Sequence, residues 1–233
     1  LPSYQTAVLE RAPEIARFNP GPIGVFMGYD FHLSPEGPKL IEVNTNAGGA
    51  LINAYLLQAQ RACCLDSNLP AVSNFDLNAL LANFLSSFRM EWQRQGRDGP
   101  LRSIAIVDQS PTQQYLYPEF VLFPAPRAHA LFANKENLTL LTDASMLRKW
   151  DVEEDVVATL LGGIPRTSLL TSDNADACWA RRKQLFFKPS AGYGAKAAYR
   201  GDKITRKTWS DILSTTYIAQ DIVAPSTRSV AID

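Results

Sequence analysis

The sequence has few of the residues that build disulfide frameworks or zinc sites. It contains three cysteines and two histidines in 233 residues. Cys63 and Cys64 are adjacent and Cys178 lies far from both, so they cannot form a disulfide framework. We therefore expect buried or half-buried thiols in a reducing cytoplasm. A zinc site built from His32 and His129 is not expected.

Net charge and long apolar runs are also missing. The 23 basic side chains balance 23 acidic ones, so the formal net charge is zero. A protein that coats nucleic acid or an anionic membrane needs a surplus of Lys and Arg. No apolar run approaches the roughly 18 residues of a membrane-spanning helix. We expect neither nucleic acid nor membrane as a partner, although zero net charge is compatible with a local basic pocket for phosphates.

Alternating helix and strand patterns predict an α/β protein. Pro13 should kink or break the first helix, Asp76 is a candidate N-cap, and the strand SIAIVD suits a parallel sheet. The predicted helices span residues 4–18, 50–64, 76–95, 114–123, 134–150, 153–161, 175–183 and 205–213. The predicted strands span residues 24–33, 39–44, 103–108, 184–189 and 217–223.

The first two predicted strands flank SPEGP, with Pro35 and Gly37 at the second and fourth positions of a type I turn, and so predict a hairpin. Glu42 and Asn44 are two residues apart on one strand and share a face. Asp30 lies on the partner strand, about equally far from the turn. Two carboxylates and an amide oxygen suit Mg²⁺. The alternative is a solvated strand face, but the following loop contains two glycines and favours close approach of a ligand.

A second motif is FFKPSAGYGAK, in which Lys188 ends an apolar strand and Gly192 and Gly194 follow in a loop. Backbone N–H groups of such a loop can hold phosphate oxygens. The alternatives are a glycine-rich hairpin loop with a surface lysine, or the dinucleotide pattern G-x-G-x-x-A completed by Ala197 but without its long helix. Lys135, at the start of a predicted helix, would add positive charge near an anion.

Together these motifs resemble the ATP-grasp ligases. PKLIEVNTNAGG is similar to the segment in which a Glu-x-Asn pair holds magnesium in D-alanine–D-alanine ligases, and GYDFHL is similar to the strand that supplies the Asp ligand. FFKPSAGYGAK resembles the phosphate loop, and YIAQDIV resembles the strand leading to the adenine-binding hinge. The order is inverted, as in the circularly permuted glutathionylspermidine synthetase-like group, whose Asn-Lys segment is similar to Asn134-Lys135.

The resemblance implies an α/β, circularly permuted ATP-grasp fold with mixed sheets flanked by helices. It implies a metal-binding half at 1–100, an α/β segment at 101–134 and an ATP-binding subdomain at 135–233. Family members have additional sequence after Phe123 and beyond YIAQDIV, so we expect the middle segment to be incomplete and the last one truncated.

The implied function is ATP-dependent ligation of a small-molecule or peptide carboxylate to an amine through an acyl phosphate, with ATP and Mg²⁺ bound in a cytoplasmic enzyme. A nucleotide-binding protein without ligase activity and a dinucleotide-dependent oxidoreductase are the alternatives. The implied magnesium ligands are Asp30, Glu42 and Asn44. The implied ATP contacts are Lys135, Lys188, Ser190, Ala191, Gly192, Tyr193, Gly194, Ala195, Ala219, Gln220, Asp221 and Ile222.

Overall fold

The computed structural model describes residues 2–45, 47, 49–63, 76–102, 126–192 and 197–227. The chain divides into two compact units, each assembled from two stretches of sequence. The first comprises Leu1–Gly28 and Asn44–Leu131, and the second comprises Tyr29–Val43 and Phe132–Asp233. Helices and small antiparallel sheets are both present, so the structure mixes α and β elements, which is compatible with the predicted α/β class.

Helices dominate the described part of the first unit. As predicted, the first helix stops before Pro13, because proline has no N–H group to donate. Asp76 caps the longest helix by accepting hydrogen bonds from the N–H groups of Asn78 and Ala79, as the sequence predicts. The elements are α1 (Pro2–Arg11), a 3-10 turn (Glu14–Arg17), α2 (Ala50–Cys63), α3 (Leu77–Arg94) and α4 (Pro126–Phe132).

Two kinds of contact join the segment before the hairpin to α3. The ring of Phe26 packs edge-on against Phe84 and Phe88, with centroids 4.6 and 6.1 Å away. Glu91 is buried, and its carboxylate accepts a hydrogen bond of 3.0 Å from the N–H group of Gly24. An aromatic cluster and one buried carboxylate therefore position this part of the chain.

The predicted hairpin is confirmed, with strands β1 (Gly28–Ser34) and β2 (Gly37–Asn44) hydrogen-bonded to each other. The turn lies at Pro35 and Glu36. Gly37 follows with a φ of +108°, a conformation that glycine adopts without steric cost. Most of the hairpin belongs to the second unit, and its open end belongs to the first.

The prediction of one helix over 134–150 is wrong. Asp143 has extended backbone angles and accepts hydrogen bonds from the N–H groups of Ser145 and Met146, so it starts a new helix. The other predicted helices of this unit are present with slightly different ends. They are α5 (Asn137–Leu141), α6 (Ala144–Lys149), α7 (Glu154–Gly163), α8 (Ala175–Arg181) and α9 (Arg206–Leu213).

The second unit also contains a four-stranded antiparallel sheet with the order β3-β6-β4-β5. Its two outer strands are only three and two residues long, too short for an alternation pattern, and the sequence does not predict them. The strands are β3 (Thr167–Leu169), β4 (Leu185–Pro189), β5 (Tyr199–Arg200) and β6 (Tyr217–Asp221). The predicted strand at 103–108 and helix at 114–123 lie outside the described residues.

One face of this sheet packs on α8 and α9 to form the hydrophobic core of the unit. Phe187 is fully buried, and its ring meets that of Trp209 edge-on at 5.2 Å. Because side chains alternate along a strand, Phe186 and Lys188 point to the opposite face. Strand β4 therefore has a core face and a face that is available to build a site.

Gly201 lies where two 3-10 turns, Arg182–Gln184 and Gly201–Lys203, pack together. A Cβ atom at this position would lie 2.0 Å from the carbonyl oxygen of Arg182 and 2.9 Å from that of Leu185. Both contacts are to backbone, which cannot rotate away. Only glycine fits at this junction beside the start of β4.

Two expectations from composition can be compared with the structure. Cys178 is a free, buried thiol, as expected, and burial raises its pKa. Within the described ranges, no helix combines the length and the apolarity needed to cross a membrane.

Candidate functional site

A pocket of about 280 Å³ lies in the second unit, on the side of β4 that faces away from the core. This volume is close to the lower end of the range for small-molecule sites, about 300 Å³. Its walls come from three regions that are distant in sequence: the hairpin, the turn before α5, and strands β4 and β6 with the residues that follow each of these two strands. The predicted site residues Glu42, Lys135 and Lys188 all line it.

Lys188 is buried, with only 6% of its surface exposed. Its ammonium group donates hydrogen bonds to the carbonyl oxygen of Ile41, at 3.1 Å, and to Oε1 of Gln220, at 3.0 Å. Desolvation lowers its pKa from 10.5 to about 8, a shift that the charge of Glu42 opposes and that of Lys135 adds to. At neutral pH the group is still largely protonated, so the pocket contains a buried cation.

Lys135 is buried as well, in the turn that precedes α5 rather than in a helix. Its Nζ lies 3.2 Å from Oε1 of Glu42 and donates a hydrogen bond of 3.2 Å to the carbonyl oxygen of Gly192. The backbone N–H group of Lys135 also donates to the carbonyl oxygen of Ser190 at 3.0 Å. The turn, the hairpin and the start of the glycine loop are therefore joined through one residue.

The glycine loop is described only in part. Ser190 is buried, and its Oγ is the one buried side-chain oxygen or nitrogen of the described residues that has no hydrogen-bond partner. Ala191 is exposed, whereas Gly192 lines the pocket with a φ of +148°. Tyr193, Gly194 and Ala195 lie outside the described residues. After the loop come β5 and a 3-10 turn instead of the long helix of a dinucleotide-binding unit.

The predicted adenine-binding segment divides between the pocket and the core. Gln220, Asp221 and Ile222 line the pocket, whereas Ala219 packs in the hydrophobic core. The N–H groups of Asp221 and Ile222 donate to the carbonyl oxygens of Arg166 and Gln184. These two donors are therefore engaged within the protein.

The three predicted magnesium ligands have different surroundings. Glu42 is one-quarter exposed and paired with Lys135, and Asp30 is exposed on β1, close enough for its charge to act on the pKa of Lys188. Asn44 ends β2 and lies in the first unit. Across the described residues, no group of three or more His, Cys, Asp or Glu could hold a metal ion. The predicted set has only two carboxylates and an amide, so it would not form such a group.

His32 lines the pocket and is a functional candidate that the sequence prediction missed. Its Nδ1 lies 2.7 Å from the carbonyl oxygen of Val223. Because a carbonyl oxygen only accepts, Nδ1 is the protonated nitrogen in this pair. The available signal was its position, two residues after Asp30 and therefore on the same face of β1.

No protein-family model matches this chain, and a search of curated proteins finds no match either.

Proposed function

We propose that this protein is an ATP-dependent carboxylate–amine ligase of the circularly permuted ATP-grasp type. The observation that carries the proposal is the convergence of Glu42, Lys135 and Lys188 on one pocket of the second unit. They come from three distant parts of the chain, and each lies in a segment that resembles one motif of that family. A pocket with two buried lysines and one carboxylate suits a phosphate chain that carries a metal ion.

The proposed reaction joins two substrates at the expense of ATP. A carboxylate oxygen attacks the γ-phosphorus, ADP leaves, and the resulting acyl phosphate is attacked by an amine, which displaces inorganic phosphate. Phosphoryl transfer needs mainly positioning and neutralisation of charge. Lys188 and Lys135 would bind the α- and β-phosphate oxygens, and Gln220, Asp221 and Ile222 would form the wall beside the adenine.

The residues proposed to bind magnesium carry the types of ligand atom that suit this ion. Asp30, Glu42 and Asn44 offer carboxylate and amide oxygens, the ligands that Mg²⁺ prefers. When bound, the ion would neutralise charge on the β- and γ-phosphates. Glu42 is already held by the ammonium group of Lys135, so its carboxylate is oriented before a ligand arrives.

The proposal is tested first by Glu42→Ala. We expect this variant to lose Mg·ATP binding or turnover and to stay folded, because Glu42 is partly exposed and lies at the pocket edge. Binding is measured by calorimetry with a non-hydrolysable ATP analogue, with and without Mg²⁺. Turnover is measured as release of ADP and phosphate with pools of carboxylates and amines.

Glu36→Ala is the matched control, because Glu36 lies in the turn of the same hairpin and outside the pocket. It removes the same charge and should bind Mg·ATP as the wild type does. Tight Mg·ATP binding by Glu42→Ala would contradict the metal assignment. Thermal stabilisation by NAD but not by Mg·ATP would favour the oxidoreductase, and Mg·ATP binding without ADP release would favour a nucleotide-binding protein without ligase activity.

A further inference from the structure

A chain of buried hydrogen bonds leads from Lys188 away from the pocket. Oε1 of Gln220 accepts from the Lys188 ammonium group at 3.0 Å, and Nε2 of Gln220 donates to Oγ1 of Thr167 at 3.2 Å. Oγ1 of Thr167 then donates to the carbonyl oxygen of Pro165 at 2.8 Å. Gln220 and Thr167 are buried, with 2% and 5% of their surfaces exposed.

The chemistry at the two ends fixes the direction of every hydrogen bond in this chain. An ammonium group only donates, so Gln220 must present its oxygen to Lys188 and its NH₂ group to Thr167. The hydroxyl of Thr167 therefore accepts from Gln220 and keeps its own hydrogen for the carbonyl of Pro165, which only accepts. The amide of Gln220 consequently has one favourable orientation.

The backbone of Thr167 is held as firmly as its side chain. Thr167 pairs with Gln220 across strands β3 and β6. The hydroxyl of Thr142, at the end of α5, accepts a hydrogen bond from the N–H group of Thr167 and lies 3.1 Å from its carbonyl oxygen. The hydroxyl that orients Gln220 is thus fixed to the sheet and to the helix.

An ammonium group has three N–H donors, and among the described residues two of those of Lys188 are used, by Ile41 and Gln220. Both acceptors are neutral oxygens, so they fix the direction of the group without cancelling its charge. The third N–H group is left for the pocket that Lys188 lines.

We propose that Gln220 and Thr167 are positioning residues, which hold the ammonium group of Lys188 so that its third N–H group faces the phosphate oxygens of a bound nucleotide. The inference rests on the proposed function for the identity of that ligand. Without the amide oxygen, the ammonium group keeps one fixed acceptor and can turn away from the pocket. Without the hydroxyl of Thr167, the amide of Gln220 can flip and present an NH₂ group to a cation.

The experiment uses two variants of similar shape, Gln220→Met and Thr167→Val, with Thr167→Ser to restore the hydroxyl. We expect Gln220→Met to bind Mg·ATP about tenfold more weakly, the scale of one hydrogen bond to a charged group. Thr167→Val should weaken binding by a smaller factor, and Thr167→Ser should recover it. Thr159→Val is the control, because the hydroxyl of Thr159 donates to the backbone of its own helix at an exposed position.

A second measurement separates positioning from a general loss of structure. The titration of the Lys188 amine is followed by NMR in the unliganded proteins, and unfolding by denaturant shows whether each variant is folded. Loss of an acceptor disfavours the charged amine, so its pKa should fall in Gln220→Met and Thr167→Val but not in Thr167→Ser or Thr159→Val.

The outcomes also separate this inference from the proposed function. If the wild type does not bind Mg·ATP, the proposed function fails, and the NMR titration alone decides whether the hydrogen-bond chain controls Lys188. If the wild type binds and both variants bind equally well, with an unchanged Lys188 titration, the positioning role is overturned. The positioning role would also be overturned if Thr167→Ser bound Mg·ATP as weakly as Thr167→Val does.

Discussion

The turn before α5 and the end of β4 each bury one lysine at the same pocket, but they surround it with different partners. Lys135 is paired with the carboxylate of Glu42, at 3.2 Å, and with the carbonyl oxygen of Gly192. Lys188 has two neutral acceptors, the carbonyl oxygen of Ile41 and the amide oxygen of Gln220. One positive charge is therefore in direct contact with a carboxylate, whereas the other is oriented by neutral acceptors and is offset only from a distance, by the charges of Glu42 and Asp30.

This difference assigns the two lysines different tasks. A buried cation without a carboxylate partner is costly, which is why desolvation lowers the pKa of Lys188 to about 8. An anionic ligand bound next to Lys188 would supply the missing negative charge. Its strongest electrostatic attraction would therefore be to this ammonium group. Lys135 also holds Glu42 and the loop in place, so a phosphate group bound there would gain less from its charge.

The largest expected effect is that of Lys188→Met on nucleotide binding. We expect about 100-fold weaker Mg·ATP binding, because a charge-assisted contact in a buried site is lost. The unliganded protein should be as stable as the wild type or more stable, because the variant removes a buried charge. Calorimetry measures the affinity for Mg·ATP, and denaturant unfolding measures the stability of the unliganded protein.

Lys149→Met, at an exposed position of α6, controls for loss of a positive charge elsewhere in the same unit. Lys135→Met tests the comparison of the two lysines directly. If it weakens Mg·ATP binding more than Lys188→Met does, the two lysines have the opposite ranking.

A smaller effect is expected from pH. Raising the pH through about 8 removes the proton from Lys188, so the pocket loses a positive charge and Mg·ATP binding should weaken. The affinity should fall by up to about tenfold per pH unit above that value, as for loss of one proton from the binding form. Calorimetry between pH 7 and 9.5 gives the profile. Lys188→Met should show no such decline, and a flat wild-type profile would contradict the assignment.

The smallest expected effect is the influence of neighbouring charges on the pKa of Lys188. The carboxylate of Glu42 raises the pKa of Lys188 and the ammonium group of Lys135 lowers it. Glu42→Gln should therefore move the titration of Lys188 to lower pH, and Lys135→Met should move it to higher pH. NMR titration of the unliganded proteins in metal-free buffer measures both, and shifts in the same direction would mean that charge does not control this amine.

Local sequence signals predict much of this fold. The turn at Pro35 and Gly37, the cap at Asp76 and the break at Pro13 are set by the chemistry of a few adjacent residues, and each is confirmed. The predicted helix over 134–150 fails for a related reason. Asp143 is a good N-cap, but the apolar residues on both sides of it continue the helical spacing and conceal the interruption.

The site is predictable only where a motif is contiguous. Glu42, Lys135 and Lys188 each lie in a recognisable segment, and the fold brings them to one pocket. The contact of His32 with Val223 spans 191 residues, and that of Gln220 with Thr167 spans 53. These long-range contacts depend on tertiary pairing and burial, which no local pattern contains.

Gly201 packs against the start of the strand that carries Lys188. It does not line the pocket, yet any side chain at this position would press on the carbonyl groups of Arg182 and Leu185. Leu185 begins β4, the strand on which Lys188 lies three residues later. If the proposed function holds, a saturation-mutagenesis screen scored by nucleotide binding would therefore group position 201 with the residues proposed to contact the nucleotide, although Gly201 lies outside the pocket.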